Sequence, residues 1–323
     1  MNRDVIVERL AKEFETKKEY VANVMDMLDN GDTVPFISRY RTELHGDMDV
    51  RGLSERYEYM KNLEARKETA LAAIEEQGTL TPELKSRFEN ALTICEVEDL
   101  YLPYRPKKKT RASVAKARGL EPLADLLLSN GKAPAEKLAE NFLGDEVPDA
   151  AAALNGACDI IAERVAENAD IRSMARSYVF ERGTLSAVRA TDEETVYDNY
   201  YDFHAAPKRI QGHQCLAINR AEKEGALKVK IESDPDRMIA QIERRVIPRG
   251  CNYADILDAA VTDSYDRLLE PAMIRDIRSS LTEQAEDGAI RNFKVNLKAL
   301  LMQAIVPDKV IMGLDPGYSH GCK

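Results

Sequence analysis

Residues 100–120 read LYLPYRPKKKTRASVAKARGL. The segment carries Arg105, Lys107, Lys108, Lys109, Arg111, Lys116 and Arg118, with no Asp or Glu between Asp99 and Glu121, in a chain of 323 residues whose formal net charge is -10. Leu100, Tyr101, Leu102 and Tyr104 precede the cations, and Pro103 and Pro106 fix φ and bias the residues before them toward extended backbone. The pattern predicts a stiff, exposed connector over 101–109 between helices, stapled to a core by its apolar first half and offering its second half to a polyanion. Phosphate is the obvious anion. A lysine-rich loop is equally compatible with a merely solvated surface, and the residues leave both readings open.

Upstream of this segment the apolar spacing is helical. Val5, Ile6, Leu10 and Phe14, then Val21, Val24, Met25 and Leu28, predict two short helices, the second closed by Asn30-Gly31. In TVPFISRYRTE (33–43), Phe36, Ile37 and Tyr40 fall on one side, while Arg39 and Arg41 point toward another. A third helix carrying an arginine pair resembles helix-turn-helix geometry, although ordinary three-helix packing has the same spacing. A long amphipathic helix follows over 53–77, and Thr81-Pro82-Glu83 starts another with a cap, a proline at the first helical position and an acid near the positive end of the dipole.

Downstream, short helices are expected after Glu121-Pro122, from Pro134 and from Pro148. The pattern changes at Ala190. The stretch 190–214 is acidic, then aromatic, then basic, and Tyr197, Tyr200, Tyr201 and Phe203 fit either a core plug or base stacking. The runs 215–219 and 227–231 predict a small β-hairpin. Helices are expected over 236–246, 253–269 and 271–302. The last of these carries a seam of Ile274, Ile277, Leu281, Ala285, Ile290, Phe293, Leu297 and Leu301. Val310 to Leu314 then reads as an apolar strand leading into Asp315 and a glycine turn, a way to place a metal ligand or admit phosphate.

Apolar residues make up 44% of the chain and charged residues 32%, with no Trp. The abundance of Ala, Leu, Glu, Lys and Arg favours helix, so the fold class expected is mostly α, with a small hairpin. Because the net charge is negative, any nucleic-acid contact has to come from local patches. Cys95, Cys158, Cys215, Cys251 and Cys322 lack CxxC spacing, which speaks against a disulfide framework or a zinc site and for reduced thiols. His204, His213 and Cys215 lack a fourth ligand at suitable spacing. Neither a metal nor a cofactor is expected. With no signal-like start and no run near ~18 apolar residues, a cytoplasmic protein without membrane contact is expected. Three regions are anticipated: a helical region over 1–190 with a helix-turn-helix-like start, a central region over 191–306, and over 307–323 the first strand and turn of an α/β domain.

VPFISRYRTEL (34–44), RKETALAAIEEQGTLTP (66–82), EDLYLPYRPKKKTRASVAKARGLEPLADLLL (98–128) and GLDPGYSHGCK (313–323) together resemble the Tex family of bacterial transcription accessory proteins. The resemblance covers essentially the whole chain. It implies a multi-domain, non-enzymatic scaffold that binds nucleic acid, with GLDPG opening a ribonuclease-H-like domain and Asp315 matching that domain's first-strand acid. The sequence departs from the family pattern by stopping there, which implies an N-terminal fragment in which Asp315 has no catalytic part.

The function expected is auxiliary, sequence-independent contact to RNA or DNA phosphate through Arg39, Arg41, Arg105, Lys107, Lys108, Lys109, Arg111 and Lys116, with transcription machinery as a further partner. A module that docks such machinery without touching nucleic acid is the competing reading, and salt-dependent binding separates the two. A nuclease would need convergent carboxylates that are not recognisable here.

Overall fold

The computed structural model describes residues 3–106, 109–131, 133–304, 307–314 and 321. In chain order it contains α1 (Arg3–Glu13), α2 (Lys18–Asp29), α3 (Val34–Tyr40), α4 (Thr42–His45), α5 (Val50–Glu76), α6 (Pro82–Asn90), α7 (Ile94–Tyr101) and α8 (Arg111–Ala117). There follow α9 (Glu121–Leu128), α10 (Ala135–Ala139), α11 (Ala150–Glu167), α12 (Ala169–Arg182), β1 (Thr184–Arg189) and β2 (Asp202–Ala205). The chain continues through α13 (Gly212–Lys223), β3 (Leu227–Glu232), α14 (Pro235–Val246), α15 (Ala254–Asp263) and α16 (Glu270–Leu301). The fold is mostly α. It divides into two compact units, Met1–Tyr178 with Asp234–Met273, and Val179–Ser233 with Ile274–Lys323. Among the described residues no helix is long and apolar enough to cross a membrane.

In the first unit, the opening helices close a core of Ile6, Leu10, Val21, Val24, Met25, Ile37, Leu53 and Met60. Each such side chain, fully removed from water, contributes on the order of 2 kcal/mol. The second half of α5 packs Leu63, Ala70 and Ile74 against Phe88, Val97 and Leu100 of α6 and α7. The largest core is built around α11, where Ala153, Ala157, Ile160, Ile161 and Val165 meet α8, α9, α10 and α15. The helix starts are held by side-chain caps: Thr81 accepts from Leu84 N at 3.2 Å and Asp149 from Ala152 N at 2.7 Å. Such caps satisfy donors that the first turn leaves unpaired. After α9 it is Asn130, not Gly131, that adopts the left-handed conformation, at φ 56°. Its side-chain oxygen accepts from Asn252 N at 2.8 Å and fixes the turn to the loop before α15.

Between α15 and α16 the helix does not break at Pro271 as the proline suggests; it widens into a π-helical stretch, Ser264–Leu269. Pro271 has no N–H for the carbonyl of Arg267 and its ring crowds that carbonyl, and an extra residue per turn relieves both problems. Ser264 is fully buried and donates to Ala162 O on α11 at 2.7 Å, which satisfies its hydroxyl.

The second unit is organised by a three-stranded antiparallel sheet of order β2-β1-β3. The strand at 227–231 exists, but its expected hairpin partner at 215–219 is helical and lies within α13. Cys215, Ile218 and Ala221 are the buried positions of that helix, which opens on a capping box of Gln211 and Gln214. A short apolar run fits either structure, and here capping and the run's continuation into RAEK decide for helix. The true partner is β1, with Leu185 opposite both Ala205 and Ile231. β1 starts at Thr184, inside the segment read as helical. Leu185, Ala187 and Ile231 share the buried face, while Ser186, His204 and Lys230 share the other.

Tyr197 is buried with its hydroxyl donating to Glu224 at 2.7 Å, so within the aromatic cluster it serves as a core plug. The α16 seam is buried at Ile277, Leu281 and Ala285 but exposed from Ile290 onward, where Phe293 keeps 66% of its surface in water. No strand forms at 310–314, and Val310, Ile311, Met312 and Leu314 are exposed. A single short strand with no neighbour cannot pair its own backbone groups.

Gly156 lets α11 approach α8 and α9, since a Cβ there would lie 2.4 Å from Leu120 Cδ1 and 3.4 Å from Ala115 Cβ. Leu120 is almost fully buried and has little room to yield. Gly156→Val is expected to lower the unfolding free energy by about 1–3 kcal/mol in urea titrations, overpacking outweighing the few tenths that leaving glycine contributes to helix propensity. A variant more stable than the wild type would show that Leu120 can repack.

Candidate nucleic-acid interface

The basic segment departs from the expected extended connector. Tyr101 ends α7 and Leu102–Tyr104 forms a 3-10 turn, so Leu102 is helical, at φ -52° and ψ -44°, in spite of the following proline. Pro103 sits at the first positions of that turn, where its missing N–H is not needed. Only Arg105, before Pro106, takes the extended backbone that the rule requires, at φ -67° and ψ 135°.

Both ends of the segment are anchored by carboxylates from outside it. At the start, Glu98 accepts from Arg66 and from Arg105, and both guanidinium groups lie over the Tyr101 ring, at 5.0 and 5.9 Å. Gln77 Nε2 donates to Tyr104 O at 2.9 Å and ties the turn to the end of α5. The next residue, Asp99, is nearly fully buried and faces α12, accepting from Arg172 Nε at 2.6 Å and Arg176 Nη1 at 2.8 Å. A cavity of about 340 Å³ opens beside Asp99, lined also by Arg87 and Asp170, which close on each other at 2.6 Å.

At the other end, Thr110 caps α8 in a reciprocal box with Ser113 and donates its hydroxyl to Glu163 of α11 at 3.0 Å. Lys116 Nζ stands 3.9 Å from the same buried carboxylate, and Arg118 stands 3.6 Å from Glu146. The charge of Arg111 acts on Asp159 and Asp263.

Among the described residues, Arg105, Lys116 and Arg118 are thus met in space by acids that the segment itself lacks. Arg105 and Lys116, expected to face phosphate, are engaged by Glu98 and Glu163. Lys109 and Arg111 are exposed, and Lys107, Lys108 and Asp315 lie outside the described residues. Arg39 and Arg41 are exposed as well, on a different core from Arg105 and from Arg111.

The arrangement of α3 differs from expectation in one respect. Ile37 is buried, but Tyr40 is 63% exposed, and Arg41 lies over the Phe36 ring at 5.2 Å instead of pointing away from it. The ring geometry and the cation–aromatic stack were not readable from spacing. Elsewhere, His204 faces Asp202 at 3.0 Å, while His213 and Cys215 sit on α13. Burial pushes the Cys158 thiol up to about 11 and raises that of Cys215, so both stay protonated and weakly nucleophilic at neutral pH.

Residues 4–75 match the family described as Tex-like protein N-terminal domain, and residues 130–293 match Tex central region-like. Among similar proteins, YdcI of Bacillus subtilis is 39% identical over 99% of this chain and 46% of its own length. The transcriptional accessory protein Tex of Neisseria gonorrhoeae is 34% identical, over 97% of this chain and 43% of its own length. The human S1 RNA-binding domain-containing protein 1 is 31% identical, over 100% of this chain and 34% of its own length. The chain thus spans less than half the length of these curated relatives.

The anchoring at Glu98 carries a pH signature. Its carboxyl is held below the usual range chiefly by the hydrogen bond from Arg66, aided by the charges of Arg66 and Arg105 and opposed by burial. A carboxyl lowered on folding contributes its stability in full above its unfolded value, near ~4.3, and loses it as pH falls through the lower folded value. The gap in unfolding free energy between the wild type and Glu98→Gln should therefore be constant from about pH 7 to 5 and close below about pH 4. A gap that widens toward acid in urea titrations would contradict this assignment.

Proposed function

The chain belongs to the Tex family, and from that premise we propose that it is a helical scaffold of a transcription-associated protein that makes auxiliary, sequence-independent contacts to nucleic-acid phosphate. The observation that carries the proposal is the pair of carboxylate anchors, Glu98 and Glu163, which hold the two ends of a cationic segment while Lys109 and Arg111 remain exposed. Phosphate contact from such a segment needs no base readout, because Lys and Arg respond to backbone charge alone. Arg105 and Lys116 serve in this reading as roots of the loop more than as ligands. Arg39 and Arg41 supply cations from α3. The names of the relatives support the same direction, one naming transcription and another RNA binding. No catalytic step is part of the proposal.

Binding of labelled single-stranded and duplex DNA and RNA should be measured over a series of salt concentrations. Changing Lys107, Lys108 and Lys109 together to Glu is expected to weaken binding on every sequence and to flatten the log-log salt slope by roughly 2 to 3. An unchanged slope removes the segment from the binding surface. Absence of any salt-dependent binding by the wild type would favour the protein-docking alternative.

A further inference from the structure

Resting on the nucleic-acid reading above, we infer that Tyr40, set between Arg39 and Arg41, is a stacking site for an unpaired base of a single strand. The helix beneath it is anchored in the core. α3 is seated by Ile37, which is fully buried in the opening core. Tyr40 follows Phe36 by one turn, with ring centroids 5.6 Å apart and planes tilted by 43°. A tilted contact of this kind does not cover the tyrosine face, and the residue keeps 63% of its surface in water. An aromatic ring of this size contributes most when buried, and one left exposed between Arg39 and Arg41 in the chain offers a flat face to a ligand.

Arg41 is exposed but tied to α3 through its backbone and its guanidinium. Its N–H donates to Ile37 O at 3.0 Å and its carbonyl accepts from Leu44 N at 2.9 Å. Its guanidinium lies 5.2 Å over Phe36 and donates Nη1 to Tyr40 O at 3.3 Å. Guanidinium carries five N–H donors, so this hydrogen bond leaves others able to meet phosphate oxygens. Arg39 is exposed on the other side of Tyr40 in sequence. Glu43, two residues beyond Arg41 in the chain, is exposed as well. An exposed ring with cations beside it is the arrangement that sequence-tolerant single-strand binders use, because every base has a π face and every linkage a phosphate. A duplex hides its base faces, so the site selects strandedness and not sequence.

The chain has no Trp, which makes Tyr40→Trp a single indole reporter. The variant should be titrated with oligo(dT), oligo(U), an abasic strand of the same length and a duplex at low salt. Quenching by either base-bearing strand, with little response to the abasic strand or the duplex, is the expected result. In parallel, anisotropy on labelled oligo(dT) should show Tyr40→Ala weakened about 5- to 100-fold and Tyr40→Phe within about twofold of the wild type. Affinity for the abasic strand should be unaffected by either change. Binding of oligo(dT) with no quenching, or equal affinity for wild type and Tyr40→Ala, overturns the site while leaving the phosphate reading intact. If the wild type binds no strand at all, both fall together.

Discussion

A buried carboxylate on the central helix is the constraint on which the rest of the first unit depends. Glu163 retains only 8% of its surface on α11, and a charge in that position is tolerable only with partners. Two of its partners, the hydroxyl of Thr110 and the ammonium of Lys116, come from the basic segment, and the charge of Arg267 acts on it as well. The helix that supplies the carboxylate is also the one that α8, α9, α10, α15 and the π-helical stretch pack upon. The electrostatic requirement of α11 and the apolar packing around it thus fix the same element, α8, in the same place.

Helix positions and their caps were largely legible in the sequence, because capping residues, proline at first turns and apolar spacing act locally. Thr81-Pro82 and Asn30-Gly31 mark helix boundaries as expected. What failed was local evidence that only distant residues could decide. The run 215–219 has a helix or strand reading until one knows that Cys215, Ile218 and Ala221 share a buried face. β1 is not legible locally because its pairing partners lie up to 48 residues downstream, at 202–205 and 227–232. Pro271 likewise marks a disturbance in the helix without revealing that the chain absorbs it by widening.

The site was legible in its cations and illegible in their environment. Counting along 100–120 finds no acid, yet Glu98, Glu146, Glu163, Asp159 and Asp263 all act on the segment from neighbouring helices. Sequence windows measure charge along one dimension, whereas Coulomb interactions fall with distance in three. The buried cluster of Asp99 with Arg172 and Arg176 was missed for the same reason, its members being more than seventy residues apart. Tyr40 shows the converse error: a helical period groups Phe36, Ile37 and Tyr40 on one side, but whether that side continues into the core depends on where α3 ends.

Compensated cations and exposed ones have different physical consequences for binding. A guanidinium already held by a carboxylate can still attract phosphate, but each such contact must compete with an existing ion pair, so its net gain is small. Lys109 and Arg111 meet less direct competition, and their long-range attraction is screened over about 10 Å at moderate salt. Stacking on Tyr40 is nearly independent of salt, because it comes from dispersion and from removing apolar faces from water. In the proposed reading, one salt-sensitive and one nearly salt-independent contribution, carried on separate cores, would let a chain of net charge -10 hold a strand where bulk electrostatics would repel it. The acids then have a second effect: by neutralising the roots of the segment they confine its attraction for anions to a few exposed positions, so that a strand bound as proposed would be held at defined points and not along a general positive surface.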